Sequence, residues 1–268
     1  MSEIVEDVMT ERSWDHRRYC AAAEAEIAAF ADGAREADLD APVPTCPDWS
    51  IAELLRHLGG VHRWGAATVR VGAPRRLSLR EIGVSFPTVA GDHLPWFTEG
   101  GERLLAILRD ADPDAPVWTW GKDQRVRFWS RRMLQETAVH RCDLDIALGR
   151  DPEVPAETAA DGVDELLGNL ESAAVFAPKV ENLRGDGETL AFDARDIGAR
   201  WLFRLLPDHF EWTRHDAPAG GQDADAVVSG GVSDLFLFLW GRRKLGDPHL
   251  EFSGDDDLLV HWAENSAI

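Results

Sequence analysis

The chain has 268 residues, enough for one large or two medium domains, and 44% of them are hydrophobic, which supports a proper core and excludes global disorder. Its 28 basic and 48 acidic residues give a formal net charge of −20, which excludes non-specific binding to nucleic acid or to an anionic membrane, since both need clustered Lys and Arg. No apolar run approaches the roughly 18 residues of a membrane span. The acidic start Met1-Ser-Glu-Ile-Val-Glu-Asp reads as no secretory signal, and Cys20, Cys46 and Cys142 are too few and scattered for a disulfide framework. A reduced, cytoplasmic protein is expected.

Residues 14–37 read as a helix, with Ala, Glu and Ile dominating its middle, and Pro42, Pro44 and Pro47 then break the chain. Ser50 with Glu53 spells a capping box and opens a second helix that runs to about Arg70. Leu54, His57, Leu58 and Val61 share one face of it, which turns His57 into the protein. Residues 71–92, rich in Gly, Pro and Ser, read as loop. A third helix covers His93 to Arg109, and Val117–Trp120 and Val126–Trp129 read as short extended pieces. A fourth helix runs from about Trp129 to Leu148 and stops at Gly149. Met133, Val139, Leu144 and Ala147 form its buried stripe, with Glu136, His140 and Asp143 on or beside it. A fifth helix is expected at about 156–176.

After Pro178 the pattern alternates in strand fashion through Leu190–Asp193, Trp201–Leu205 and Phe210–Thr213, with another strand at Ala224–Ser229. An apolar helix follows at Ser233–Trp240, then a strand at Leu250–Phe252 and a helix at Asp256–Trp262. The expectation is an α+β protein with a helical bundle over residues 1–178 and a small α+β domain over 185–268.

Glu136 and His140 lie four residues apart, so on a helix they reach one spot. With His57 from a neighbouring helix they make a three-donor set with an open position, the layout of a catalytic metal rather than a structural one. The plainer readings are a hydrogen-bonded core histidine and a solvated i,i+4 pair. Against them, each patch lies on the apolar face of its helix, where an uncompensated carboxylate is costly. His62 competes with His57 but sits about 140° further round the helix, so the two cannot easily serve one ion. Asp143 can orient His140 as an acceptor, or be only a helix-end acid. No cysteine has a base beside it in sequence, and phosphate loop, dinucleotide fingerprint and nucleophile elbow are absent. Most of the 11 tryptophans read as core, with one or two walling a pocket.

The stretch Val43-Pro-Thr-Cys-Pro-Asp-Trp-Ser-Ile-Ala-Glu-Leu-Leu-Arg-His57, continued through Leu-Gly-Gly-Val-His-Arg-Trp, resembles the N-terminal signature of the mycothiol-dependent maleylpyruvate isomerase family. Glu136-Thr-Ala-Val-His140-Arg-Cys-Asp143 resembles its second signature, and Val228-Ser-Gly-Gly-Val-Ser-Asp-Leu-Phe-Leu-Phe-Leu-Trp-Gly-Arg242 its C-terminal domain. The resemblance implies a DinB-like four-helix bundle followed by a sterol-carrier-like domain. It also implies zinc on His57, Glu136 and His140, and an arginine completing the pocket, carried here to Arg242 with Arg243 as its neighbouring alternative. Cys142 departs from the aromatic residue often found at its place.

The implied chemistry uses mycothiol as cosubstrate. Its metal-activated thiolate adds to a small, carboxylate-bearing electrophile. Expulsion of the thiol after bond rotation gives cis–trans isomerisation, and retention gives S-transfer. Nickel or iron would suit the same donors. The competing expectations are a non-catalytic binder of lipid or another small molecule, and a metal-dependent hydrolase that needs no thiol. A monomer or a homodimer fits equally.

Overall fold

The first two helices start where side chains replace missing backbone partners. The computed structural model describes residues 14–216 and 224–268; the acidic start, read above as no secretory signal, lies outside the described residues. Helix α1 (His16–Ala34) begins at Asp15, whose carboxylate accepts from the Arg18 N–H at 2.8 Å. Helix α2 (Ile51–Arg70) begins with the expected capping box, the Ser50 N–H donating to Glu53 at 2.7 Å and the Glu53 N–H to Ser50 Oγ at 3.4 Å. Helices α3 (His93–Asp110) and α4 (Val126–Ala147) complete the set.

α1 packs on α3 and α4, and α2 packs on the same two helices, so the four close around a core that includes Phe30, Leu54, Leu58, Phe97 and Leu134. α2 and α3 approach closely because of glycine: a Cβ at Gly59 would collide with the Trp96 ring. The extended piece expected at Val126–Trp129 is instead the first turn of α4. Its bulky residues are buried as helix residues, and the Trp129 indole N–H donates to the Trp118 carbonyl at 3.0 Å. Here tertiary packing overrides the strand preference of Val, Phe and Trp. Only Pro116 and Arg125 pair in β fashion at this point.

The second unit begins at Glu153. Helix α5 (Ala156–Ala173) belongs to it, although the sequence reading ended the bundle at residue 178. The reason lies in its contacts with the sheet. Asp164 accepts from the Trp201 indole at 2.6 Å and from Arg214 at 2.7 Å, and the Arg214 guanidinium lies over the Trp201 ring. Five strands follow, β1 (Thr189–Ala194), β2 (Ala199–Leu205), β3 (Phe210–Asp216), β4 (Ala226–Gly230) and β5 (Leu250–Gly254), in the order β3-β2-β1-β4-β5. All neighbours are antiparallel except β1 and β4, which run parallel. Helix α6 (Val232–Leu239) packs on α5, β1 and β4, and in helix α7 (Asp256–Asn265) the Trp262 ring meets Phe192 at a tilt and Phe203 edge to face. Among the described residues no helix is long and apolar enough to cross a membrane.

His62 is a core residue of the bundle. Its side chain is 0% exposed, lies 5.4 Å from the Phe97 ring and meets Thr137 Oγ1 at 3.0 Å. The Thr137 hydroxyl donates to the Met133 carbonyl, so His62 Nε2 donates to Thr137. Burial, only partly offset by the Glu136 charge, pushes the His62 imidazole from 6.5 down to about 3. The unfolded chain therefore binds a proton that the folded chain refuses, and this part of the stability is complete above pH 6.5 and is lost as the pH falls towards 3. Between pH 7 and 5.5 the parent should lose about 1 kcal/mol more stability than His62→Leu, since each pH unit below 6.5 costs at most about 1.4 kcal/mol. Urea denaturation at both pH values measures this, and a parent–variant difference that does not change with pH would contradict it.

Candidate metal centre

α2 and α4 lie side by side, and each turns a polar stripe towards the other. His57 on α2 places Nε2 3.2 Å from Glu136 Oε1 on α4. His140, one turn further along α4, places its Nε2 3.5 Å from the same oxygen. The two imidazoles meet edge to face with centroids 4.8 Å apart, and the three donor atoms all lie within 4.8 Å of one another. Ligand atoms bound tetrahedrally at 2.0–2.2 Å are spaced by about 3.3–3.6 Å, so the two measured separations are close to edges of such a site.

The other nitrogen of His140 decides what the first one can do. Nδ1 lies 2.8 Å from Asp143 Oδ2, and Asp143 is wholly buried. Two groups from the α1–α2 loop hold that carboxylate: the Thr45 hydroxyl donates to Oδ1 and the Cys46 thiol to Oδ2 at 3.5 Å. With Nδ1–H committed to Asp143, the Nε2 lone pair faces a carboxylate oxygen, and a proton or a cation must stand between them. Burial works against the charge of His140, but its bonds to Asp143, Cys46 and Glu136 lift it well above the ordinary histidine value. Burial likewise works against the charge of Glu136, but bonds from His140 and His57 and the nearby charge of Arg132 hold it well below the usual carboxylate range. The cluster is built for positive charge at its centre, and two imidazoles with one carboxylate are a donor set that fits a divalent transition metal.

Two neighbours complete the surroundings. Arg132, one turn before Glu136, reaches Oε2 at 3.3 Å. The Trp49 ring stands 4.7 Å from the His57 ring and 6.2 Å from the His140 ring. The chain is turned there by Asp48, which adopts the left-handed backbone (φ 67°), and the loop is pinned by the Val43 N–H on the Trp49 carbonyl at 2.8 Å. Cys46, His140 and Asp143 also lie within 4.8 Å of one another. These three are already tied by hydrogen bonds that support the first group.

The structure thus brings His57, Glu136 and His140 together, with Asp143 beside them. It corrects the expected burial: His57 does not turn inward but keeps 34% of its side chain exposed, whereas His62 is the enclosed residue and bonds to Thr137. Partial exposure is what an open coordination position needs. Arg242 lies in the second unit, in the turn after α6, where its guanidinium donates to the Trp240 carbonyl at 2.7 Å. Arg243 is buried there against Asp234 at 2.7 Å and Asp247 at 3.5 Å. Burial pushes the Cys142 thiol up to about 12 and the Cys20 thiol up to about 11, which disfavours the thiolate of each. Sequence reasoning passed over Thr45, Cys46, Trp49 and Arg132. Arg132 left a signal in sitting four residues before Glu136 on the same stripe, and Thr45, Cys46 and Trp49 lie in the signature stretch that begins at Val43, although the path of their loop depends on the fold.

A family model for the mycothiol maleylpyruvate isomerase N-terminal domain matches residues 20–145, and one for the MDMPI C-terminal domain matches residues 157–261. Two crystal structures are similar over 90% of this chain and 93% of theirs. One is the mycothiol-dependent maleylpyruvate isomerase carrying a histidine-to-alanine mutation, at 16% identity and a TM-score of 0.60. The other is the mycothiol-dependent maleylpyruvate isomerase itself, at 17% identity and a TM-score of 0.58. No curated protein matches the chain. At these identities the structures speak for the fold, a helical domain followed by an α+β domain. The two family models account for both units, and the chain belongs to the mycothiol-dependent maleylpyruvate isomerase family.

Proposed function

We propose that this chain is a mycothiol-dependent metalloenzyme that acts on a small, carboxylate-bearing electrophile, either isomerising a cis double bond to trans or transferring the thiol. The observation that carries this reading is Glu136 Oε1 lying within 3.5 Å of the Nε2 atoms of both His57 and His140. These three residues would hold zinc, although nickel or iron suits the same donors. Bound there, the ion would offer an open position to the thiol of mycothiol and stabilise its thiolate at neutral pH.

The protein's own groups supply order around that chemistry. Asp143 fixes the tautomer and the plane of His140, and Thr45 and Cys46 fix Asp143. Trp49 covers the two imidazoles, excluding water from one side and offering a flat apolar wall to an unsaturated substrate. Arg242 is assigned the substrate carboxylate, which a guanidinium can bind through two parallel hydrogen bonds. In the isomerase reaction the sulfur adds to one carbon of the double bond, the remaining single bond rotates, and the double bond re-forms as the sulfur leaves. If the sulfur stays, the product is a thioether. The free cysteines and the absence of any membrane-crossing helix among the described residues suit a reduced, cytoplasmic setting.

Purified protein should carry about one metal ion per chain, and His57→Ala, Glu136→Gln and His140→Ala should each lose both that ion and mycothiol-dependent activity on maleylpyruvate. Elemental analysis beside the activity assay tests this, and full activity in metal-free His140→Ala would contradict it. Hydrolysis without added thiol would move the reading to a metal hydrolase. Tight binding of an apolar ligand with no thiol chemistry would move it to a binding protein. Asp143→Ala should fold but bind zinc about 10- to 100-fold more weakly, the usual effect of removing a residue that orients a ligand histidine. Competition against a chromogenic chelator measures it, and unchanged affinity would leave Asp143 a bystander.

A further inference from the structure

The two oxygens of Glu136 are divided between different partners. Oε1 lies 3.2 Å from His57 Nε2 and 3.5 Å from His140 Nε2, while Oε2 lies 3.3 Å from the Arg132 guanidinium. Arg132, Glu136 and His140 follow one another at four-residue spacing along α4, so all three project from one stripe. The Arg132 side chain is only 4% exposed. A buried guanidinium is costly, and an Arg preceding its Glu is the less favourable order for an i,i+4 pair, so helix stabilisation alone does not account for it.

We infer that Arg132 is a positioning residue that occupies Oε2 of Glu136, so that the carboxylate presents one oxygen rather than two to the metal and a coordination position stays open for the thiol. The inference rests on the metal-site reading above. A carboxylate free at both oxygens can bind through both, and a second Glu136 oxygen would take the place that catalysis needs. Arg suits the task because its planar fork is pre-organised and its charge does not titrate away.

The test uses cobalt(II) as a visible probe, added to the metal-stripped full-length parent, to His140→Ala and to Arg132→Met, with the fold of each checked by circular dichroism. The parent should take up one cobalt with the intense absorption of a four-coordinate ion and should gain a sulfur-to-cobalt charge-transfer band when mycothiol is added. Arg132→Met should still bind cobalt, with an absorption changed by the second Glu136 oxygen taking the open position, and should lose most of the charge-transfer band when mycothiol is added. Parental spectra in Arg132→Met, with His140→Ala binding no cobalt, would overturn the role of Arg132 and leave the metal site standing. Failure of the parent to bind cobalt, or parental binding by His140→Ala, would overturn both. If Arg132→Met does not fold, Arg132→Gln, which keeps one N–H donor but no charge, should show the same changes at smaller size, and parental spectra in it would overturn the inference equally.

Discussion

One carboxylate oxygen shared by imidazoles from two helices is the constraint on which the functional half of the molecule depends. Glu136 Oε1 can accept from His57 and His140 together only if α2 and α4 hold their register to within a fraction of a helical turn. The bundle secures that register from several directions. The Ser50–Glu53 capping box fixes where α2 begins, His62 ties α2 to Thr137 on α4, and the buried leucines of α2 fill the space between helices. Each of these contacts is ordinary. Together they bring three donor atoms within 4.8 Å of one another, a tolerance a loop-built site would hold less well.

Charge follows the same logic. A chain with a net charge of −20 suits a cation better than an anion, and the cluster concentrates that preference in a buried place. Asp143 and Glu136 supply two carboxylates to a single imidazole, and Arg132 balances the second Glu136 oxygen.

Much of this was legible in the sequence, for identifiable reasons. Helix periodicity and capping put α2 and α4 within a few residues of their observed limits, and i,i+4 spacing put Glu136 and His140 on one face. The strands after Pro178 were legible through alternation, and apolar helix α6 through composition. What the sequence did not reveal was several features that depend on packing. Val126–Trp129 carries strand-forming residues yet enters α4 because Trp129 is enclosed by other aromatic rings. Helix α5 joins the sheet through Asp164, Trp201 and Arg214, a link across some fifty residues that no local pattern encodes. His57 was expected inside because it follows Leu54, but the apolar stripe of α2 runs through Leu54, Leu55, Leu58 and His62 and leaves His57 at its edge. The support of His140 by Thr45 and Cys46 needs a loop that folds back about 97 residues away in sequence, so proximity there is purely tertiary.

If the three donors hold a metal as proposed, the thiol binds only to the metal-loaded protein. Calorimetric titration of mycothiol into zinc-loaded and chelator-stripped protein at the same pH addresses it most directly. Mycothiol should bind the loaded protein with release of about one proton, as a thiol becomes a thiolate, and bind the stripped protein little or not at all. Equal binding to both forms, with no proton released, would contradict it and leave the cluster of His57, Glu136 and His140 a structural ion pair.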